Sequence, residues 1–259
     1  MNEIVKKLYK PENDIFGLPQ EFKGLKIYPI LLKDLHFQDL FYKIFSRPKS
    51  YISNFEILKS SYLKFVVYIL TTTHENQDDV LENLVEIMRY LTKEEDIEIF
   101  IGKANGTGLQ SFDVKMKIGK VVLNENDFDN LREMVLEQNG TSIEYVESYN
   151  PELEPALEFL NRGGGDLTLQ DQIFTFCAIM KLSLFEMNKY TLYQFSNMFE
   201  KLLTLKEYDL YKPLLASGQI TLKSGELKSY LYHSKKSGRY DSLMVDADAF
   251  LEKSKEMFG

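Results

Sequence analysis

A chain of 259 residues, 44% hydrophobic and 27% charged, is long enough to bury one large core or two modest ones, with a composition ordinary for soluble globular proteins. Its formal net charge of −8 argues against a broad phosphate-binding surface, which makes nucleic acid a poor partner but leaves room for a local basic patch. With one cysteine there is no intramolecular disulfide, and no apolar run approaches the roughly 20 residues that span a bilayer. The start, Met1-Asn2-Glu3-Ile4-Val5-Lys6-Lys7, lacks the uncharged apolar stretch of a secretory signal, so a cytosolic protein is expected. The aromatic supply is 18 Phe and 16 Tyr without Trp, which suits core edges and protein interfaces, because Tyr buries its ring while its hydroxyl stays wet.

Residues 22–28 alternate weakly and end at Pro29, as an edge strand or an extended lead-in would. A helix follows from about Asp34, with Phe37, Leu40, Phe41 and Ile44 on one face, and Arg47-Pro48 stops it. A second helix is expected from about Ser53, placing Phe55, Leu58, Tyr62, Phe65, Val66 and Ile69 on one side. The polar run 71–79 is a connection, and a third helix aligns Leu81, Leu84, Val85 and Met88. At Asp96 the period changes. Ile97, Ile99 and Ile101 alternate with their neighbours, and so do Phe112, Val114, Met116 and Ile118. These are two strands of a long hairpin whose tip carries Gly102, Gly106 and Gly108, with residues 22–28 as a possible third strand.

Asn126 reads as the cap of a helix with Phe128, Leu131 and Val135 inside, closed by Asn139-Gly140. The polar segment 140–150 is the expected lobe boundary, and Asn150-Pro151 starts a helix that ends at the Gly163–Gly165 run. Three capping boxes then follow in succession: Thr168 with Asp171, Ser183 with Glu186, and Thr191 with Gln194. They predict a compact helix, a short one and a longer one. Ile173, Phe176, Cys177 and Met180 lie on one inner face, and Phe195, Met198, Phe199 and Leu202 on another. Lys212-Pro213 and Ser217-Gly218 break the pattern; a short strand at 220–222 and a last amphipathic helix from about Asp246, with Ala249, Phe250 and Met257 inward, complete the chain.

None of the chemical constellations is specific. The 102–108 glycines lack the Gly-Lys-Ser/Thr of a phosphate loop and join strands; the Gly163–Gly165 run reads as a hinge, since Asp166 would repel a phosphate. His36, His74 and His233 are far apart and without metal-ligand spacing, and Asp246 and Asp248 are explained by the start of a helix. Cys177 reads as a small buried hydrophobe, and Lys235, Lys236 and Arg239 as part of a solvated loop. No catalytic, cofactor-binding or metal-ligating residue is expected, and neither is enzymatic activity.

The run 124–132 (Asn-Glu-Asn-Asp-Phe-Asp-Asn-Leu-Arg) with Gln138-Asn139 resembles the short acidic-aromatic helix of a family of phage tail and baseplate-hub assembly proteins. That family includes the hub-assembly chaperones of T-even-type phages and relatives in phages of Gram-positive hosts. The likeness continues through Asn150-Pro151-Glu152-Leu153 and Ala156-Leu157, and is best at 182–187 and 190–195, which are similar to a capped helix pair of the family. Leu214-Leu215-Ala216-Ser217-Gly218 also fits, as, more weakly, does Tyr28-Pro29-Ile30, whereas residues 230–259 fall outside. The resemblance implies a non-enzymatic assembly factor that binds other tail or baseplate proteins as a chaperone in the host cytoplasm, with an oligomer possible. The alternative is a permanent structural subunit of the virion baseplate. The expected fold is α+β and mostly helical, with a small antiparallel sheet on a long hairpin in an N-terminal lobe (1–145) and a helical C-terminal lobe (146–259).

Overall fold

The structure, a computed structural model, describes residues 2–52, 55–70, 77–103, 111–161, 168–219 and 238–240. The fold is α+β with a helical C-terminal half. Two short helices, Glu3–Leu8 and Pro11–Phe16, open the chain. They are followed by an antiparallel hairpin of β1 (Gln20–Phe22) and β2 (Leu25–Ile27). Its two turn residues, Lys23 at φ 50° and Gly24 at φ 85°, both take the left-handed conformation that a tight type I′ turn needs. The weakly alternating 22–28 stretch therefore belongs to a hairpin of its own.

The larger sheet has the order β3 (Ile97–Lys103), β4 (Phe112–Ile118), β5 (Val121–Leu123), all antiparallel. Its third strand is thus β5 and not residues 22–28. The missed signal is Gly119, which at φ 55° opens a two-residue turn between β4 and β5. Val114, Met116 and Ile118 of the central strand are fully buried, whereas Ile101 opposite Val114 on the edge strand is 53% exposed. Alternation on β3 therefore marks a largely wet edge, with Ile97 buried in the core and Ile99 partly buried against it. The expected hairpin tip, 104–110, lies outside the described residues.

Helices Leu35–Ile44 and Gln77–Thr92 pack together, with the Phe37 ring stacked 4.0 Å from that of Tyr90. The single second helix expected from Ser53 is instead broken into Phe55–Lys59, Tyr62–Lys64 and a wider π-turn at Phe65–Leu70. The serine pair causes the break. Ser60 Oγ donates to Ile57 O (2.8 Å) and Ser61 caps the following turn by accepting from Lys64 N–H (3.3 Å). As a result Phe55 and Leu58 face solvent while Ile57, Tyr62, Leu63 and Phe65 are buried.

At the centre lies helix Glu125–Gln138, capped by a box between Asn124 and Asp127, so it starts just before the expected Asn126. Phe128, Leu131, Met134, Val135 and Leu136 are fully enclosed, and so, to within a few per cent, are Asn130, Arg132, Glu133 and Gln138. A helix buried all round must find partners for its polar side chains inside the protein. Glu133 accepts from Asn2 N–H (2.7 Å), Asn130 Oδ1 from Asn2 Nδ2 (2.9 Å), and Gln138 Nε2 donates to Ile27 O (2.9 Å). Arg132 donates to Phe45 O (3.0 Å), Arg47 O (3.3 Å) and Glu147 Oε1 (2.6 Å), with its guanidinium 3.4 Å from the centre of the Tyr62 ring. Glu147 belongs to helix Ile143–Glu147, whose Val146 enters the same core. The expected lobe boundary at 145/146 falls inside this helix. The helix expected at Asn150-Pro151 begins after a turn, at Glu154, and spans Glu154–Asn161.

Residues 28–32 cross the core in extended form with every available amide satisfied. Tyr28 donates to Leu91 O (2.7 Å), Ile30 to Asn139 Oδ1 (3.0 Å), Leu31 to the Tyr90 hydroxyl (3.2 Å) and Leu32 to Tyr190 O (2.8 Å). Pro29, which has no N–H, sits where none is needed.

Burial pushes the Tyr62 hydroxyl up from its ordinary 10.0 to about 12, against the pull of the Arg132 guanidinium. Because the folded value lies above the unfolded one, the associated stabilisation is complete below pH 10 and is lost as pH rises through about 12. Tyr62→Phe is expected to flatten the fall of unfolding free energy over that window by about 2–3 kcal/mol, read from urea titrations at successive pH values. An unchanged slope would show that Tyr62 does not titrate on unfolding.

Candidate functional site

All three capping boxes of the C-terminal half form. Asp171 N–H donates to Thr168 Oγ1 (3.2 Å), Glu186 N–H to Ser183 Oγ (3.4 Å) and Gln194 N–H to Thr191 Oγ1 (3.1 Å), with each later side chain accepting from the cap amide in return. The Ser183 amide and hydroxyl hold the Glu186 carboxyl below the ordinary carboxylate value. The helices they start are Leu169–Met180, Leu184–Met187 and Leu192–Ala216. The last does not break at Lys212-Pro213 as expected. Pro213 lies in the final turns of the helix, which ends with Ser217 N–H bonded to Pro213 O (3.0 Å). The expected elements at 220–222 and from Asp246, together with Asp248, Lys235, Lys236, His74 and His233, lie outside the described residues.

The helices enclose a second apolar cluster, separate from the main core, built on Phe176, Cys177, Met187, Phe195, Phe199 and Leu202. Phe176 meets Phe195 edge to face at 5.7 Å, and Phe195 stacks on Phe199 at 5.7 Å. Burial pushes the Cys177 thiol up, away from the thiolate a nucleophile needs. Leu32, from the N-terminal half, completes this cluster.

The tie between the halves is a short piece of backbone ladder. Leu31 pairs antiparallel with Thr191, Leu32 N–H donates to Tyr190 O (2.8 Å) and Leu192 N–H to Ile30 O (2.9 Å). Gln194 serves both cap and tie, since its Oε1 accepts from Thr191 N–H (2.9 Å) while its Nε2 donates to Ile15 O (2.8 Å). Gly17, at φ 66°, passes close to this junction. A Cβ there would stand 3.2 Å from Thr191 Cγ2.

The outer surface of these helices is rich in apolar side chains. Phe185 is 83% exposed, and Ile179, Met180 and Leu184, around the same turn between two helices, are each more than a third exposed. Phe174, Leu203 and Leu210 add to the exposed apolar area of this half. A surface of this kind offers hydrophobic area to a partner.

The clefts have a different character. One of about 350 Å³ is lined by Lys49, Tyr62, Asp129, Arg132, Glu133 and Glu147 among others. Its polar groups already hold one another or the backbone. Lys49 Nζ donates to Leu58 O (3.1 Å) and Ser60 O (2.9 Å), and Asp129 Oδ1 accepts from Tyr62 N–H (2.7 Å). Burial raises the Asp129 carboxyl. A second, of about 550 Å³, is an open groove with Ile52, Phe55, Leu58, Tyr149 and Pro151 on its walls. Among the described residues no group of three or more His, Cys, Asp or Glu side chains is arranged to hold a metal ion. No described helix is long and apolar enough to cross a membrane. His36 sits on the surface 2.9 Å from Glu86. Arg239, expected in a solvated loop, is instead paired with Glu154.

Residues 161–235 match the family described as YomV second domain. The match is consistent with a phage protein. It covers under a third of the chain and includes the three capped helices, the second apolar cluster apart from Leu32, and the exposed residues around Phe185. The run 124–132, which carried part of the phage-assembly resemblance, lies outside the YomV-like segment, in the central helix of the main core. Nothing among curated proteins or solved structures matches the chain.

The YomV-like segment owes part of its core to Leu32. Leu32→Ala is expected to cost about 2–4 kcal/mol, as for other enclosed leucines. Amide exchange should accelerate in residues 195–202 and much less in 128–136, and equal acceleration in both would contradict the separation of the two cores.

Proposed function

We propose that this phage-type protein acts by binding other virion proteins during assembly, as a chaperone of tail or baseplate components, and catalyses no reaction of its own. The observation that carries the reading is the exposed apolar surface around Phe185 within the YomV-like segment. Docking against a complementary face would remove this surface from water, and each large apolar side chain fully buried contributes roughly 1.5–3 kcal/mol before the cost of association. An assembly chaperone uses such a surface to cover the hydrophobic face of an unassembled partner until a subunit displaces it. The polar cleft beside Arg132 supports the same reading, because its charged groups are engaged in holding the fold.

The test is a tagged full-length chain expressed in infected host cells, with bound proteins identified by mass spectrometry and purified mature particles probed for the chain. A tail or baseplate protein is expected in the bound fraction and the chain is expected to be absent from particles. Its stoichiometric presence in particles would replace the chaperone with a permanent baseplate subunit. Leu184→Ser with Phe185→Ser should leave folding within about 0.5 kcal/mol of wild type, both side chains being exposed, and should abolish capture of the partner. Undiminished capture would place the binding face elsewhere.

A further inference from the structure

The chain closes on itself between residues 150–154 and 238–240. Arg239 donates from Nε to Glu154 Oε1 (2.8 Å) and from Nη2 to Glu154 Oε2 (2.9 Å), the paired bonds that fix a guanidinium against a carboxylate. The same guanidinium lies 4.9 Å from the centre of the Tyr149 ring and 5.4 Å from that of Tyr145. The Tyr240 hydroxyl accepts from Asn150 N–H (2.6 Å) and stands 2.6 Å from Glu154 Oε1, with the Asn150 carbonyl at 3.1 Å. Asn150 itself organises the approach to helix Glu154–Asn161. Its carbonyl accepts from Leu153 (3.0 Å) and Glu154 (3.2 Å), and its Oδ1 from Glu152 N–H (2.9 Å). Isolated surface ion pairs contribute little to stability. This one is bidentate, backed by two rings and bridged by a hydroxyl, and both partners are only 19% exposed.

Glu154 and Arg239 are 85 residues apart, and the YomV-like segment 161–235 lies wholly between them. The ground on which they meet is firm, since Tyr145 belongs to the helix whose Glu147 is held by the buried Arg132. We propose that Glu154, Arg239 and Tyr240 form a clasp that fastens the exit of the YomV-like segment to its entry, a conformational latch at the base of that segment. The segment is then held to the N-terminal half by the 30–32/190–192 ladder, by Gln194 on Ile15 O and by the clasp, and opening the clasp releases one of these. The clasp stands or falls independently of the role in phage assembly.

The test is amide hydrogen exchange on the full-length chain and on the variants Tyr240→Phe and Arg239→Gln. Tyr240→Phe removes the acceptor of the Asn150 amide, and Arg239→Gln removes the fork that holds Glu154. In both, the Asn150 and Glu154 amides are expected to exchange roughly tenfold faster, while the amides of 128–136 keep their wild-type rates. Arg239→Lys, which keeps the charge and loses the fork, should fall between. Exchange at Asn150 within about twofold of wild type in both variants would overturn the clasp. So would acceleration spread equally through 128–136, because a latch acts locally.

Discussion

A guanidinium buried to within a few per cent has to find its partners inside the protein, and Arg132, at the wall of the polar cleft, finds them by drawing separate parts of the chain onto one helix. It holds the carbonyls of Phe45 and Arg47 behind helix Leu35–Ile44, the carboxylate of Glu147 on the next helix, and the face of Tyr62 after the serine break. None of these segments has a regular ladder to hold it there. Removing one member weakens a shared network, because the Tyr62 hydroxyl also donates to Ile44 O (2.7 Å) and Arg47 O (2.9 Å) and Lys49 N–H to Glu147 Oε2 (3.4 Å). Asn130, Glu133 and Gln138 repeat the logic for the N-terminus and β2.

The YomV-like segment is built differently. Its interior is apolar and its helices are started by caps, so it needs few long-range polar contacts of its own. It is attached through the extended residues 28–32, which serve the main core on one side and pair with 190–192 on the other. Leu31 and Leu32 leave the main core by this route, which is why Leu32 belongs to the second cluster. Large apolar side chains are exposed in both halves, Phe16 and Phe55 in the first and Phe185, at 83% the most exposed of them, in the second.

What could be read from the sequence follows from the range of the forces involved. The capping boxes at Thr168, Ser183 and Thr191 are local chemistry within four residues, and all three form where they were expected. The β3–β4 hairpin was equally legible, because alternation is local. The apolar spacing of residues 55–69 hides the Ser60-Ser61 break, and β5, with three residues, is too short to show a period. Lys212-Pro213 reads as a break of the pattern, yet helix Leu192–Ala216 carries Pro213 in its final turns. The polar partners of Arg132, the exposure of Phe185 and the pairing of Arg239 with Glu154 depend on which distant segments arrive, and no spacing rule encodes that.

The most direct measurement is the unfolding free energy of Arg132→Met, with Arg132→Lys beside it, by urea denaturation. Methionine keeps the aliphatic stem and removes every donor, and lysine keeps the charge without the fork. If Arg132 organises the core, both variants lose about 3–5 kcal/mol, and the segment around Phe45 and Arg47 loses amide protection first. A loss below about 0.5 kcal/mol in Arg132→Met, or a gain, would contradict this and would mean that apolar packing alone positions those segments.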